Sequence, residues 1–430
     1  MTGAAVLLLD AAGPESAALV RAASKRGLQV HAATTTADAQ VPAPELAGQV
    51  VTDFARLDRA VEDISTYARR RSVGAVLTAN EYLTELAALV CAELGLPGNA
   101  PSLAHAARDK AAMAGVLTAA GVRIPCTRLV HDDTDLQNAL ADMRIGLPCV
   151  IKPVDAAGSA GVTVVTSPAD TAAAANAARV ARGRYGVNNA GNAGILVQAY
   201  VAGDEYSVES ITQNAVTTHL AVTRKVVTGG AHRVETGHSL PVRLPPATEA
   251  AVHREVDAAI RAVGIRHGAS HTEVVIDADG RCTVIEIAAR LGAGHIGLLL
   301  QHALGIDVFA ALLDVALGHP AALTPTAHGH ATVRFITAPH AGRLTALTGF
   351  PKQGPGVPFV RWRAAMGGLV NTAASNADRL GCFVVTGPDA AEVEQRADAL
   401  ARQIHVQVDP TPAPDDCDQL NSASRSAIAP

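Results

Sequence analysis

HTEVVIDADGRCTVIEIAARLGAGH, residues 271–295, predicts two β-strands joined by a tight turn. Asp279-Gly280 is a strong signal for a two-residue hairpin loop, and runs rich in Val, Ile and Thr flank it. With those two residues as the loop, counting outward places Glu273 opposite Glu286. The sequence therefore predicts two facing carboxylates on one β-hairpin.

The two faces of this hairpin differ in polarity, because side chains alternate between the faces of a strand. In the predicted register Ala278 pairs with Arg281, and every outer pair follows from that one. The face toward the core carries Val274, Ile276, Thr283, Ile285 and Ile287. The opposite face carries His271, Glu273, Val275, Val284 and Glu286.

The facing glutamates need something to offset their mutual repulsion, since like charges directly opposite each other destabilise a strand pair. A hard divalent cation with oxygen ligands is the simplest candidate. The alternative is that both side chains are solvated on an exposed sheet face. A register slip of one residue would also separate them.

Length and composition indicate a large globular protein of about three domains. The 430 residues are 49% hydrophobic and 17% charged, which supplies large cores and too little charge for a disordered chain. The formal net charge is −5, and no block of Lys or Arg stands out. We therefore expect neither nucleic-acid binding nor anionic-membrane binding as a main role.

Cysteine usage and the apolar runs indicate the compartment. Six scattered cysteines, without a CxxC pair or zinc spacing, favour a reducing environment, and we expect a cytoplasmic protein. Val6–Leu9 follows no basic leader, so it predicts a first strand and not a signal peptide. No uncharged apolar run reaches the length of a membrane span, so we expect no membrane association.

The N-terminal region alternates strand and helix signals, which is typical of a parallel α/β unit. Its first turn has one glycine and no GxGxxG, which disfavours a dinucleotide site. Asn80 and Glu81 follow a predicted strand, at the sheet edge where ligands bind. They are substrate-contact candidates, and the alternative is that they cap the next helix.

A lysine and a glycine-rich loop form a second motif in VIKPVDAAGSAGVTVV, residues 150–165. A predicted strand presents Lys152, and the loop that follows carries Gly158, Ser159 and Gly161. Backbone N–H groups of such a loop can cradle phosphate oxygens, and the lysine supplies a point charge. The alternative is an ordinary hairpin with a surface lysine.

A broken strand forms a third motif in ILVQAYVAGDEYSVES, residues 195–210. The break at Ala202-Gly203 exposes the backbone of residues 199–201, which suits reading an adenine edge beside an apolar wall. Glu205 lies just past the break, within reach of ribose hydroxyls. The alternative is a plain connection with a solvated acid.

Arg290 follows the second paired glutamate by four residues. Its planar guanidinium suits phosphate or carboxylate oxygens, and the alternative is a salt bridge to a neighbouring acid. Residues 291–294 are glycine-rich, and His295 opens the next predicted helix, whose N-terminus favours anions.

The order of these motifs resembles the ATP-grasp superfamily over roughly residues 101–318, and the RDK at Arg108–Lys110 adds an earlier lysine. The resemblance implies an α/β protein with the ATP-grasp fold. It implies an N-terminal parallel α/β domain at 1–103 and an ATP-grasp domain at 104–320 with a lid at about 126–196. A C-terminal α+β domain at 321–408 and a disordered tail at 409–430 complete the expected organisation.

The resemblance also implies a role for each motif, with ATP and Mg²⁺ as cofactors and Mn²⁺ as an alternative ion. Phosphates would meet Lys110, Lys152 and the loop of Gly158, Ser159 and Gly161. Adenine would meet Gln198, Ala199, Tyr200 and Val201, and ribose would meet Glu205. Glu273 and Glu286 would hold magnesium, and Arg290 would act in catalysis. Ala288 stands where many members have a third metal ligand, which leaves a second ion's coordination open.

Within the superfamily, the chain looks like the L-amino-acid ligases and carnosine-synthase-like enzymes. VETGHSLP, residues 234–241, makes Glu235 and His238 substrate candidates, together with Glu81 and His295. The implied activity is a carboxylate–amine ligase acting on small molecules through an acyl phosphate, and a homodimer is compatible with it. A purine-pathway or biotin-carboxylase-like enzyme, and a nucleotide-binding protein without turnover, remain alternatives.

Overall fold

The computed structural model of the chain describes residues 4–36, 46–181 and 194–410. Two predicted features extend beyond these ranges. Residues 182–193 of the predicted lid and residues 411–430 of the predicted disordered tail lie outside the described residues.

A four-stranded parallel sheet of order β3-β2-β1-β4 forms the N-terminal region. Its elements are β1 (Ala5–Leu9), α1 (Pro14–Lys25), β2 (Gln29–Thr34), β3 (Gly48–Val51), α2 (Leu57–Arg70), β4 (Val73–Leu77) and α3 (Thr84–Leu94). Val6 and Leu8 face the core that contains α1, whereas Leu7 and Leu9 face α2 and α3. Because helices cover both faces, β1 is apolar at every position.

Two separate helices occupy residues 104–119. Residues 104–107 form a short 3₁₀ helix, and α4 (Lys110–Ala119) begins after Asp109. The Asp109 carboxylate accepts hydrogen bonds from the N–H groups of Ala111 and Ala112, which makes it the N-cap. The cap therefore fixes Lys110 as the first residue of α4.

A small antiparallel sheet of order β5-β8-β6-β7 lies within the predicted lid. Its elements are β5 (Thr127–Val130), α5 (Asp133–Ala141), β6 (Cys149–Pro153), β7 (Thr163–Val165), α6 (Thr171–Val180) and β8 (Ile195–Ala199). The helices cover the apolar face formed by residues such as Cys149, Ile151 and Val197. Lys152 directly follows Ile151 in β6, so its side chain points to the opposite face of the sheet.

An eight-stranded antiparallel sheet of order β13-β12-β9-β10-β11-β14-β18-β16 forms the centre of the molecule. The first part consists of β9 (Asp204–Gln213), β10 (Val216–Val227), β11 (Glu235–Leu240), α7 (Pro246–Ala262), β12 (Gly268–Ile276), β13 (Cys282–Ala288), α8 (Ile296–Leu304) and α9 (Val308–Ala316). The second part consists of β14 (His330–Ile336), β15 (Gly342–Thr348), β16 (Phe359–Trp362), β17 (Leu369–Val370), β18 (Gly381–Gly387), α10 (Ala390–Gln403) and β19 (His405–Asp409). Strands β14, β16 and β18 of the predicted C-terminal domain thus extend the central sheet, while β17, β15 and β19 form a separate one.

The hairpin of β12 and β13 confirms that Glu273 faces Glu286, but its predicted turn is wrong. Ile276 pairs with Cys282, and the loop between Asp277 and Arg281 has three residues. The Asp277 carboxylate accepts the N–H groups of Asp279 and Arg281, and this local bonding closes the longer loop.

A bulge at Ile285 compensates for the longer turn. Val274 pairs with Val284, and the register then shifts so that Glu273 meets Glu286. As a result Val284, predicted on the glutamate face, is buried in the core with Val274. Ile285, predicted in the core, lines the cavity beside Glu286.

Helices α8 and α9 pack between the N-terminal and central sheets. Leu299, Leu300 and Leu313 share one core with Val6 and with Val333 of the central sheet. In the described ranges, no individual helix has both the length and the apolar character needed to cross a bilayer. Helices α8 and α9 together have the length and composition of a membrane span, but they are bent by 108° relative to each other.

Candidate active site

A cavity of about 540 Å³ lies where the N-terminal region, the lid sheet and the central sheet meet. This volume is within the usual range for small-molecule sites. It is lined by most of the predicted site residues, namely Glu81, Lys110, Lys152, Gly158, Ser159, Gln198, Ala199, Tyr200, Val201, Glu205, Glu235, His238, Glu273, Glu286 and Arg290. Gly161 and His295 are not among its lining residues.

The paired glutamates face this cavity with a cation beside each. Glu273 Oε1 lies 2.7 Å from Lys225 Nζ and 3.4 Å from His271 Nε2. Glu286 Oε1 lies 3.1 Å from Lys110 Nζ. Although burial opposes it, the neighbouring Lys225 and His271 hold the pKa of Glu273 well below its usual value. The side chains of Glu273 and Glu286 are 28% and 21% exposed, so both carboxylates keep oxygens accessible from the cavity.

His271 connects the glutamate pair to a buried acid. Its Nδ1 lies 3.0 Å from both carboxylate oxygens of Glu209, which is fully buried. Burial disfavours the imidazolium, but the charge and hydrogen bond of Glu209 raise the pKa of His271 to about 9. A positive charge therefore lies behind Glu273.

The two lysines are both buried, yet their environments differ. Lys110 Nζ donates to the carbonyl of Ala156 at 2.7 Å, and its pKa is raised by Glu286 and Glu81 despite burial. Lys152 has no hydrogen-bond or ion-pair partner within the described part of the chain. Burial lowers the pKa of Lys152 to about 8, with Glu286 opposing the shift. An anionic ligand would supply the counter-charge that Lys152 lacks.

The glycine-rich loop at residues 155–161, here called the phosphate loop, adopts left-handed backbone at three positions. Gly158, Ser159 and Gly161 have φ values of 66°, 61° and 70°. A Cβ atom added to Gly161 would lie 2.7 Å from Ala181 Cβ, so this glycine allows close packing beyond α6. Arg108 donates to the carbonyl of Asp155 and fixes the start of the loop.

The broken strand brings its predicted residues to the cavity through residues 199–201. Gln198 is already engaged, because its Nε2 donates to Thr127 Oγ1 at 2.8 Å. Glu205 lines the cavity and forms an ion pair with Arg233. The acid is therefore neither free nor simply solvated.

Arg290 and Glu81 form an ion pair that joins the central sheet region to the N-terminal region. Burial disfavours the charged carboxylate, but Arg290, Lys110 and Arg108 lower the pKa of Glu81 to about 2. The salt bridge that was the alternative for Arg290 is thus present, and both partners line the cavity. Asn80 does cap the following 3₁₀ helix, since its Oδ1 accepts the N–H of Tyr82.

Glu235 is the centre of a second network at the cavity. Its carboxylate lies 2.9 Å from Lys225 Nζ, 2.8 Å from Arg379 Nη2 and 3.1 Å from His238 Nε2. Burial opposes the charge, but Lys225, followed by His238 and Arg379, holds the pKa of Glu235 well below its usual value. Nδ1 of the buried His238 has no hydrogen-bond partner among the described residues.

His295 lies outside the cavity wall. Its ring packs on Phe359 with a centroid distance of 4.7 Å, and its backbone has a φ of 66° just before α8. Burial, followed by the charge of Arg361, lowers the pKa of His295 to about 4. The imidazole is therefore near enough to His238 for its charge to affect the pKa of His295, although His295 does not line the cavity.

Sequence reasoning missed several charged or polar residues of the site. These are Arg108, Glu209, Lys225, Arg233, Asn376 and Arg379. The only signal for Lys225 was a lysine within VTRKVV, residues 222–227 at the end of β10. Asn376 and Arg379 had none, because they reach the site from a segment about 140 residues away from Glu235 in sequence.

Two parts of the chain match families of known proteins. Residues 145–298 match the ATP-grasp domain family, and residues 334–409 match the L-amino acid ligase C-terminal domain 2 family. Together these matches cover the phosphate loop, the hairpin and the segment that carries Arg379.

Three similar proteins show the range of the likeness. An uncharacterized protein, y4rH, of Sinorhizobium fredii is 25% identical over 341 residues, which are 78% of this chain and 68% of that protein. An alanine–anticapsin ligase of Bacillus subtilis is 27% identical over 272 residues, which are 60% of this chain and 57% of that enzyme. The structure of an L-amino acid ligase from Bacillus licheniformis has a TM-score of 0.78 and 20% identity, and the match covers 95% of this chain and 100% of that one.

The last of these likenesses establishes the fold. The family matches cover Lys152, Glu273 and Glu286 of the cavity wall, whereas Glu81 and Lys110 lie before the matched residues. The named relatives include an enzyme of the ligase class. From these findings, the chain carries a segment that matches the ATP-grasp domain and another that matches an L-amino acid ligase C-terminal domain, and it is an ATP-dependent ligase of the class that forms C–N bonds.

Proposed function

We propose that the chain joins a carboxylate to an amine, most simply two amino acids, through an acyl phosphate with release of ADP and phosphate. The observation that carries the proposal is the cavity in which Glu273 and Glu286 face each other beside Lys110, Lys152 and Arg290. Anionic groups for a metal and cationic groups for phosphates thus converge on one space. The match to an L-amino acid ligase C-terminal domain supports amino acids as substrates.

ATP-grasp enzymes use ATP, and we assign each part of the nucleotide to a part of this cavity. We assign the α- and β-phosphates to Lys110 and Lys152, and the cover over them to the phosphate loop. The adenine would lie against residues 199–201. Glu205 would bind the ribose, which requires it to share its carboxylate with Arg233.

The glutamate pair fits a magnesium ion, because both carboxylates keep oxygens accessible and Mg²⁺ prefers oxygen ligands. Within the described ranges, no group of three or more His, Cys, Asp or Glu side chains is arranged around a metal position. Glu273 and Glu286 would therefore share the ion with oxygens of the nucleotide, as Mg²⁺ sites commonly do. The ion would neutralise negative charge that develops on the phosphoryl oxygens.

The chain's own residues then account for the acyl transfer. A carboxylate oxygen of the first substrate attacks the γ-phosphorus, which forms the acyl phosphate and releases ADP. The second substrate's amine attacks the acyl carbon and loses a proton, and phosphate leaves. We assign the stabilisation of the oxyanion of the tetrahedral species to Arg290, which forms an ion pair with Glu81. Glu235 and His238 would bind and orient the amine.

A screen for ADP release tests the proposal. The purified chain is incubated with Mg-ATP and all pairs of the common amino acids, and mass spectrometry identifies the products. We expect ADP release that depends on a particular pair and a product whose mass equals their sum less one water. Release that requires bicarbonate or a ribonucleotide amine instead, with no response to amino acids, would overturn it.

The metal assignment is tested by Glu286→Gln, with Glu62→Gln on the exposed face of α2 as the control. The amide keeps the size of the side chain but removes one anionic ligand. We expect Mg²⁺-dependent ADP release to fall about 10²-fold or more, the scale of losing one group that stabilises developing charge. We also expect a smaller thermal shift on adding Mg-ADP. A rate within about twofold of the control would rule Glu286 out as a ligand.

A further inference from the structure

We propose that Asn376 is a positioning residue that ties the tip of the phosphate loop to Glu235, so that loop closure and the amine site depend on each other. This inference rests on the proposed function and adds to it a residue from the C-terminal region. Asn376 lines the cavity although its own segment lies in the region that matches the ligase C-terminal domain.

The contacts of Asn376 point in two directions. Its backbone N–H donates to the carbonyl of Gly158 at 3.0 Å, at the tip of the phosphate loop. Its side chain forms two hydrogen bonds with Glu235: Oδ1 accepts the Glu235 N–H at 3.1 Å, and Nδ2 donates to Glu235 Oε2 at 3.1 Å. One residue therefore links a nucleotide-covering loop to a strand of the substrate site.

The turn that carries Asn376 is itself rigidly built. Residues 376–378 form a 3₁₀ helix in which Ser375 and Asp378 make a reciprocal capping box. One residue further on, Arg379 Nε donates to the carbonyl of Glu235 at 2.9 Å, and its guanidinium lies over the ring of Phe335. The turn is thus fixed to β11 by contacts that do not involve the phosphate loop.

Different regions of the chain form hydrogen bonds with the start and with the tip of the phosphate loop. Its start belongs to the ATP-grasp region, where Arg108 donates to Asp155 and Lys110 to Ala156. Its tip, at Gly158, meets the C-terminal region through Asn376. Since Gly158 and Ser159 adopt left-handed backbone, the loop depends on such contacts for a single conformation.

The link continues from Glu235 to the glutamate pair. Lys225 Nζ lies 2.9 Å from Glu235 Oε1 and 2.7 Å from Glu273 Oε1. A change at the amine site can therefore reach the phosphate loop through Asn376 and the metal site through Lys225. The chemical benefit is that the loop covers the acyl phosphate while Glu235 is in place, which keeps water from hydrolysing it.

Two substitutions separate the two directions of contact. Asn376→Ala removes the bonds to Glu235 and keeps the N–H to Gly158. Asn376→Pro removes that N–H as well, and the first position of this turn suits proline because Ser375 before it is extended at φ −150° and ψ 169°. Asn371→Ala, at an exposed asparagine five residues earlier, is the matched control.

Hydrogen exchange with mass spectrometry measures the loop directly, with Mg²⁺ and a non-hydrolysable ATP analogue present. We expect residues 155–161 to exchange about 2–10-fold faster in Asn376→Pro than in Asn376→Ala, the effect of one lost hydrogen bond. Asn376→Ala in turn should exceed Asn371→Ala. Exchange at residues 268–288 reports on folding of each variant. Equal loop exchange in all three variants would overturn the proposal.

The ratio of amide formed to ADP released measures coupling, which a residue with a merely structural role would not change. We expect the ratio to fall in Asn376→Ala and further in Asn376→Pro, with nucleotide affinity changed less than twofold. A ratio equal to that of Asn371→Ala in both variants would contradict the proposed coupling. If the unmodified chain forms no amide at all, the proposed function fails, and the exchange experiment still decides the loop contact.

Discussion

Lys152 is a charged side chain in a place that burial makes unfavourable for charge. It is 4% exposed, and burial lowers the pKa of its ammonium from 10.5 to about 8. The unfolded chain therefore binds more protons than the folded chain between these pH values, and this residue lowers stability most below about pH 8. The charges of Glu286 and Glu273 only partly oppose this effect of burial, so we expect an anionic ligand to stabilise the Lys152 ammonium.

We expect Lys152→Met to raise the thermal midpoint of the nucleotide-free protein near neutral pH and to weaken nucleotide binding. Each pKa unit of depression corresponds to about 1.4 kcal/mol of penalty, which the neutral side chain removes. Thermal unfolding with and without Mg-ADP measures both effects. The gain should shrink as the pH rises above about 8, where the wild-type lysine loses its proton.

Lys352→Met, at an exposed lysine, is the control and should change neither quantity appreciably. A nucleotide-free Lys152→Met protein that is less stable than wild type, with an unchanged shift on adding Mg-ADP, would remove Lys152 from the nucleotide site.

At the scale of elements, the start of α4 sets the position of Lys110. Asp109 accepts the N–H groups of Ala111 and Ala112 and so marks the boundary between the short 3₁₀ helix at residues 104–107 and α4. Lys110 then reaches Ala156 and Glu286 from the first helical turn. A local hydrogen-bond pattern therefore determines where Lys110 lies, the residue to which we assign phosphate binding.

Asp109→Ala should lower the free energy of unfolding by about 0.5–2 kcal/mol, the usual cost of losing an N-cap. It should also raise KM for ATP, because Lys110 loses its fixed position. Urea unfolding and steady-state kinetics measure these two changes. Asp132→Ala removes a comparable cap from α5, where Asp132 accepts the N–H of Asp135. That variant should lose similar stability at unchanged KM, and equal KM values in both variants would refute the positioning role of Asp109.

The hairpin of β12 and β13 shows where element-level prediction stops. Its strands and the facing of Glu273 and Glu286 follow from the local pattern, and the structure confirms them. The local pattern does not predict the three-residue loop or the bulge at Ile285. The loop shifts the register by one residue and the bulge shifts it back, so Glu273 still pairs with Glu286. The pattern of β-branched residues is equally satisfied by both registers, so packing of Val284 in the core selects the observed one.

At the scale of the whole molecule, one buried ion pair joins two regions that are distant in sequence. Glu81 and Arg290 are separated by 209 residues, and their side chains are 8% and 13% exposed. The pKa of Glu81 is lowered from 4.5 to about 2, so its charged form stabilises the fold. That contribution is complete above about pH 4.5 and is lost as the pH falls toward about 2.

We expect Glu81→Gln to cost about 3–5 kcal/mol at neutral pH, because Arg290 would remain buried without its partner. The difference from wild type should narrow as the pH falls below about 4.5. Thermal unfolding over this pH range measures it. Glu85→Gln, which removes the half-exposed pair with His105, should cost less than about 1 kcal/mol. A Glu81→Gln protein as stable as the Glu85→Gln control would show that this pair does not hold the regions together.

The sequence by itself determined the order of the motifs, the parallel N-terminal sheet and the facing glutamates, because each depends on residues that are close along the chain. Only the tertiary structure decided the partners of those residues: Glu81 for Arg290, Lys225 for Glu273 and Asn376 for Glu235. It also kept His295 outside the cavity. The physical reason is that periodicity and turn chemistry act over a few residues, whereas buried charges take their partners from whichever strands the packed core brings together.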